Sequence, residues 1–488
     1  MRISRLVGVA TMAGATAAAL GCGPPPPGPA GPPTTIVVTT TADVVDGADG
    51  VISLREAFAA ASADNADTTI VVDSGADYLL TSCSAGQLFH GGGQALVVTT
   101  EGGARATIRQ TCSPARVMAV GGSSVTLRHL SIQGGRLASP DPCGLTVYGQ
   151  PTCARGAGID SSAPLTLDDV EVSDNRSIGT SSVEGGGVSA RAGATVVDSE
   201  LSGNHSNRAG GAIAAQGLLT ISDSTFVSNT GANGGAVSAH DGSVSVEGTE
   251  FRSNGGGSGG AIVLDGASLA ATDTVFRLND SGGGPGGAIW ADASVSSLVL
   301  ERVAIVQNTG RTGALTTYAG ISDFRIIDST ITDNVATTTW RDQLNRAAGG
   351  LAVHGSSNIE IVGTTIAHNT AAPGGGANID LRSGGSTTVS VTSSIISDPL
   401  SSPDSCEPNG NDFVVTDSFV SDASCGTAAS LGVVDLGALT ESAGTWFRAP
   451  SPTSPAVDAV APPCASATDQ RGVPRPQGGA CDLGAIED

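Results

Sequence analysis

The sequence predicts an all-β chain wound as a parallel solenoid of short strands and tight bends, and three patterns between Gly210 and Trp290 carry that prediction. Phe226-Val-Ser-Asn229, Phe251-Arg-Ser-Asn254 and Phe276-Arg-Leu-Asn279 recur with each Phe and each Asn 25 residues after the last. Gly210-Gly-Ala-Ile213, Gly234-Gly-Ala-Val237, Gly259-Gly-Ala-Ile262 and Gly286-Gly-Ala-Ile289 interleave with them. Between the two signatures apolar residues alternate, as in Leu219 and Ile221, Val244 and Val246, Leu269 and Ala271. A fixed period of this length means stacked identical units. A spacing of two with β-branched residues, Thr and Ser is a strand pattern, which disfavours helical repeats.

Each unit is then one coil. Stacking sets Ile213 over Val237, Ile262 and Ile289, and Phe226 over Phe251 and Phe276, as interior columns. The Asn of each unit is expected at a bend, in left-handed backbone, with its amide bonded to the next coil. The Gly pair opens the following strand, where the chain turns with positive φ or passes close to backbone. With the Phe relaxed to any apolar residue, the ladder comprises Asn175, Asn204, Asn229, Asn254, Asn279, Asn308, Asn334 and Asn369, at spacings of 29, 25, 25, 25, 29, 26 and 35. Irregular spacings mark loops inserted at bends. About thirteen rungs over 74–400 give a rod of roughly 60 Å at about 4.8 Å per rung.

The paired Gly-Gly-Ala-Ile/Val and Phe-x-x-Asn tetrapeptides resemble the polymorphic outer membrane protein repeats of bacterial surface proteins over roughly residues 170 to 380. The resemblance implies a right-handed parallel β-helix with a pectin lyase-like fold. It also implies surface display and, in some members, adhesion.

The chain divides into five parts. Residues 1–21 read as a secretory signal, with Arg2 and Arg5 before an apolar run that is too short to span a membrane. Cys22 after Ala19-Leu-Gly21 resembles the lipobox cysteine of bacterial lipoproteins, with Ala19 in place of the usual Leu, and implies a lipid anchor. The 22–33 segment continues as a Pro and Gly spacer, extended at roughly 3 Å per residue. In 34–73, Ser53-Leu-Arg-Glu56 is a capping box that starts a short helix. The stretch from Thr39 through Ala57 resembles the CSLREA segment that begins extracellular β-helix proteins, with Ile52 at the Cys position. It is expected to cover the first rung. The coils occupy 74–400, with insertions at 134–156 and 335–348. In 401–488, Ser454-Pro-Ala-Val-Asp458, Thr468-Asp-Gln-Arg-Gly472, Arg475-Pro476 and Cys481-Asp-Leu-Gly-Ala-Ile-Glu487 resemble the choice-of-anchor Q domain, which implies a disulfide-containing cap at the far end of the rod.

Composition narrows the function. All 23 basic residues are Arg, against 46 acidic residues, for a formal net charge of −23, which disfavours nucleic acid as a partner. Without Lys, a phosphate-loop lysine and Schiff-base chemistry are excluded. Lipidation of Cys22 leaves eight of nine cysteines, for which about 105 pairings exist. Pairing neighbours joins Cys83 with Cys112, Cys143 with Cys153, Cys406 with Cys425 and Cys464 with Cys481. Such bonds require an exported, oxidising location: the outer membrane as a lipoprotein, or the cell surface.

Two readings of function stay open. An enzyme of this shape needs carboxylates clustered on one face, and the early rungs offer only the adjacent pair Asp168-Asp169. No Gly-His-Gly occurs and Asn308-Thr-Gly310 lacks an acid, unlike polygalacturonase-like enzymes. Calcium is the one metal that the abundant Asp residues leave open, and no other cofactor is expected. Asp174, Asp333 and His368, each before a ladder Asn, are expected to face solvent, as are Arg252 and Arg277. The candidate ligand loop is 335–348, because Trp340 stands beside Arg341, Asp342 and Arg346. The leading reading is a monomeric, lipid-anchored surface rod acting as an adhesin for a polysaccharide or cell-surface protein. The other is a polysaccharide lyase or glycoside hydrolase.

Overall fold

The computed structural model describes residues 31–138, 146–147, 150–151, 155–178, 185–292, 294–318, 320–337, 348–355, 357–371, 375–382, 387–426, 430–431 and 434–488. Three strand segments per coil stack in parallel as faces A, B and C, and from Arg136 to Ser258 a fourth, after each ladder Asn, stacks beside them. On face A, the inward column runs from Leu88 through Met118, Ile159, Val188, Ile213, Val237, Ile262, Ile289, Leu315, Leu351 and Ile379 to Cys406 in eleven steps. Eleven steps span roughly 53 Å at about 4.8 Å each. The expected thirteen rungs over 74–400 were too many, because Met118 to Ile159 and Leu315 to Leu351 are each a single step that spends an insertion.

Face B begins earlier than residue 74. Thr34–Val37 pairs with Thr68–Val72, and that strand with Leu96–Thr100, so the segment before the repeats already supplies rungs. Face C carries Val172, Leu201, Phe226, Phe251, Phe276, Ile305, Ile331, Ile366 and Ile396 in register. The Phe rings stack at 4.8 and 5.0 Å between centroids, nearly parallel at 17° and 5°. Inward residues of all three faces form one continuous buried core. Burying such columns supplies the stability, at about 25 cal/mol per Å² of apolar surface.

The bends differ from expectation in one respect. Left-handed backbone belongs to the residue before each ladder Asn: Asp174, Ser228, Ser253, Leu278, Gln307, Asp333 and His368 have φ between 54° and 58°. That twist turns the following Asn inward, where its side chain is buried. A second bend per coil sets Asp198, Asp223, Asp273 and Asp328 at φ 45° to 49°. At the third bend the first Gly of each pair takes positive φ, 72° at Gly234, and the second admits no side chain: a Cβ on Gly235 would lie 2.1 Å from the Gly260 carbonyl oxygen.

Helix Leu54–Ala63 starts at Ser53, whose hydroxyl accepts from the Glu56 N–H while Glu56 accepts from the Ser53 N–H. Its Leu54, Ala57, Phe58 and Ala61 join the solenoid core. Arg55 is buried and binds Asp43 at 2.8 Å and the Gly86 and Gln87 carbonyls. Burial opposes ionisation of Asp43, but bonds from Arg55 and the Ser82 and Thr81 N–H groups outweigh it and hold its carboxyl below the usual range.

The C-terminal region does more than cover an end. Cys406 and Cys425 are bonded and belong to the solenoid core at the last coils. Residues 434–488 then return along the flank of face C. Leu439 and Trp446 pack on Val275, Ala304 and Val306, and Leu483 lies in a cluster with Ile395, Phe419, Val434 and Ala456. Polar contacts follow the same line: Thr330 Oγ1 donates to Gln470 at 2.5 Å, and the Ala485 N–H to Thr365 Oγ1 at 3.0 Å. The region expected as an end cap is thus an end closure followed by a lateral strap.

Candidate functional site

Most of the polar residues that the repeat singles out serve the rod itself. Each Nδ2 from Asn175 to Asn334 donates to the Oδ1 of the next ladder Asn at 2.9 to 3.1 Å. Asn369 continues the series to Asn378, at 2.9 Å. Each Oδ1 also accepts a backbone N–H, as Asn254 does from Asn229 at 3.0 Å, so buried amides meet partners on both sides. A second ladder of hydroxyls accompanies it. Ser199, Ser224 and Thr249 accept the N–H of Val170, Ser199 and Ser224. Sequence reasoning missed this ladder, although the same 25-residue spacing marks it.

Bonded cysteines are Cys83–Cys112, Cys406–Cys425 and Cys464–Cys481, with Cα atoms 5.4, 5.1 and 5.6 Å apart. Cys22, Cys143, Cys153, Trp340, Arg341, Asp342 and Arg346 lie outside the described residues. Asp168 and Asp169 are each held by neighbours: Arg128 at 2.7 Å on the first, the Arg105 guanidinium and the His129 ring at 2.7 Å on the second. They are parts of ion pairs that step across coils. Of the side chains expected to face solvent, Asp333 is clasped by Arg448, His368 is half-buried 3.8 Å from Asp398, and Arg277 stacks 4.1 Å over Trp446. The strap accounts for Asp333 and Arg277. Arg252 does point outward, 3.5 Å from Glu250.

One edge of the rod, just past face A, collects functional groups from successive coils. Gln216, His240 and Asp265 are register partners, and Tyr318, His354 and Arg382 follow the stacked positions Thr317, Val353 and Leu381. At its upstream part Ser238 Oγ lies 3.2 Å from His240 Nε2, whose Nδ1 lies 3.0 Å from Asp265. This is the contact order of an acyl-transfer triad. Ser238 is 0% exposed, however, so no carbonyl carbon can reach its hydroxyl.

Downstream the edge turns aromatic. Trp290 meets Tyr318 edge-on at 6.2 Å, and Tyr318 stacks on His354 at 4.6 Å and 2°. Burial, together with the Arg382 and Arg311 charges, pushes the His354 pKa down to about 4, so the ring is neutral at physiological pH. Arg382 is tied to the fully buried Asp380 at 3.2 Å. Tyr318 is 40% exposed, whereas Trp290 Nε1 and His354 Nε2 are buried without a hydrogen-bond partner. An exposed aromatic ring beside a cation suits a ligand with apolar faces and hydroxyls.

Among the described residues, no three His, Cys, Asp or Glu side chains converge as a metal site would require. No protein-family model, curated protein or solved structure matches this chain.

Proposed function

We propose that this protein is an exported, lipid-anchored surface rod that binds a polysaccharide through the Trp290–Tyr318–His354 edge. The observation that carries the reading is the exposed Tyr318 ring stacked on a neutral imidazole in a rigid β-solenoid. A stiff edge loses little conformational freedom on binding, and aromatic rings give contact area at low entropy cost. The likeness of its repeats to polymorphic outer membrane protein repeats and the lipobox-like Cys22 support display at the surface. The same edge disfavours the enzyme reading, because its one triad-like contact is closed to substrate and Asp380 is already paired.

Purified protein is titrated with neutral polysaccharides, following tryptophan fluorescence and chain length together. Binding without cleavage, weakened about tenfold or more by Tyr318→Ala, supports the proposal; tenfold is about 1.4 kcal/mol. Chain cleavage, or binding that Tyr318→Ala leaves unchanged, defeats it.

A further inference from the structure

A second surface lies on the opposite side of the Gly bends, on the flank built by the segments after each ladder Asn. Arg136, Arg176 and His205 occupy one register position on consecutive parallel strands, and Thr230 and Gly255 continue the column. Neighbouring strands stand about 4.8 Å apart, and like charges facing each other across strands destabilise a sheet. Several other arginines of the rod face carboxylates, as in Arg105 with Asp169, Arg128 with Asp168 and Arg302 with Asp273. The guanidinium groups of Arg136 and Arg176 are exposed and make no ion pair or hydrogen bond among the described residues. In a chain with 46 acidic residues and 23 arginines, two cations stacked in register without a carboxylate partner among the described residues are a costly arrangement.

The column leads into a shallow groove of about 410 Å³, floored by Thr230, Gly231, Gly255 and Gly256, with Asn207 on its side and Asp280 at its far end. Glycines leave the backbone accessible there. A ligand lying along the rod would thus meet charge first, and hydroxyl and amide groups next.

We propose that this flank binds a linear acidic polysaccharide along the rod axis, its carboxylate or sulfate groups on Arg136 and Arg176 and its hydroxyls over the Thr230–Gly255 groove. Nucleic acid fits less well: it carries a charge about every 1.7 Å, and the net charge of −23 repels so dense a polymer. This site is independent of the Tyr318 edge.

The test is affinity electrophoresis of the whole protein through gels holding polygalacturonate, dextran sulfate or unmodified dextran. The expected result is retardation by at least one acidic polymer, none by dextran, and release at about 0.5 M salt, where screening falls to a few ångströms. Arg136→Gln/Arg176→Gln should lose about tenfold or more in affinity, Arg136→Lys/Arg176→Lys should keep most of it, and Tyr318→Ala should leave it unchanged. Retention by carboxylated but not sulfated polymer, or the reverse, identifies the acidic group. Retardation by neither acidic polymer, equal retardation by dextran, or a Gln variant that binds like the parent overturns the proposal. A melting temperature of the Gln variant equal to the parent's shows that the loss lies in binding and not in folding.

Discussion

Arg448 clasps Asp333 with both edges of its carboxylate engaged, Nη2 to Oδ1 at 2.8 Å and Nε to Oδ2 at 3.1 Å, while Nη1 holds the Gly437 carbonyl at 2.8 Å. This pair joins the returning C-terminal strap to the bend before Asn334, and both side chains are largely shielded from water. Bidentate, part-buried pairs of this kind are stronger and more directional than exposed ones.

Arg448→Ala should therefore loosen the strap while leaving the coils intact. Loss of charged hydrogen bonds and the exposure of Asp333 predict about 2 kcal/mol of local destabilisation. Hydrogen exchange in residues 434–450 should quicken, with little change around Phe226–Phe276. Equal protection in both regions would show that the clasp contributes nothing to holding the strap.

The ladder gives a sharper expectation. Asn254→Ala removes the acceptor of the Asn229 N–H and Nδ2 and the donors to Asn279 Oδ1 and the Phe226 carbonyl. Each buried group left unpaired costs about 1–3 kcal/mol, so a total of about 3 kcal/mol or more is expected. Because solenoid coils contact mainly their neighbours, urea unfolding should lose cooperativity near the middle of the rod. A melting curve within a degree of the parent's would refute this.

The solenoid was legible because identical residues return at a fixed spacing, so that Phe226, Phe251 and Phe276 announce both the period and the inward face. The strap was legible only in part. Outward positions of face C change from Glu250 and Arg252 to Ala304 and Val306, then to Thr330 and Thr332. That loss of charge marks a covered surface, but the alternation alone reads it as a strand end. The aromatic edge left no trace in the sequence, since Trp290, Tyr318 and His354 share neither residue type nor spacing. Loops of differing length between coils hide which residues become neighbours.

Two buried groups should give opposite pH responses. Burial pushes the Asp328 carboxyl up to about 6, with the Ser466 hydroxyl and Arg475 opposing only in part. A raised folded pKa means that its stabilising contribution is full below the ordinary 3.8 and is lost as pH rises through about 6. Asp328→Asn, which can still accept from Ser466, should raise the melting temperature at pH 8 and change it little at pH 4. The shift corresponds to at most about 3 kcal/mol. His354, lowered to about 4, favours the fold above its ordinary 6.5 and loses that contribution as pH falls toward 4. His354→Phe keeps the stack on Tyr318 and should flatten that acid limb. Identical pH–stability profiles for parent and both variants would contradict these assignments.

Two glycines with different constraints should respond differently to the same added methyl group. At Gly217, φ is +86° and no atom lies within 4 Å of a new Cβ, so Gly217→Ala meets only the left-handed backbone penalty. That penalty is about 1–2 kcal/mol. At Gly235 a Cβ would sit 2.1 Å from the Gly260 carbonyl oxygen and 2.6 Å from the Gly255 nitrogen. Those atoms belong to the next coil, where the Gly255 N–H bonds the Asn229 carbonyl and the Gly260 N–H bonds the Gly286 carbonyl, so moving either parts two rungs. Gly235→Ala should then fail to fold as a continuous rod, or expose a protease-sensitive break between the coils of Phe226 and Phe251, while Gly217→Ala folds with a modestly lower melting temperature. Comparable losses for the two variants would mean that close backbone approach does not set the Gly-Gly signature, leaving positive φ as its sole cause.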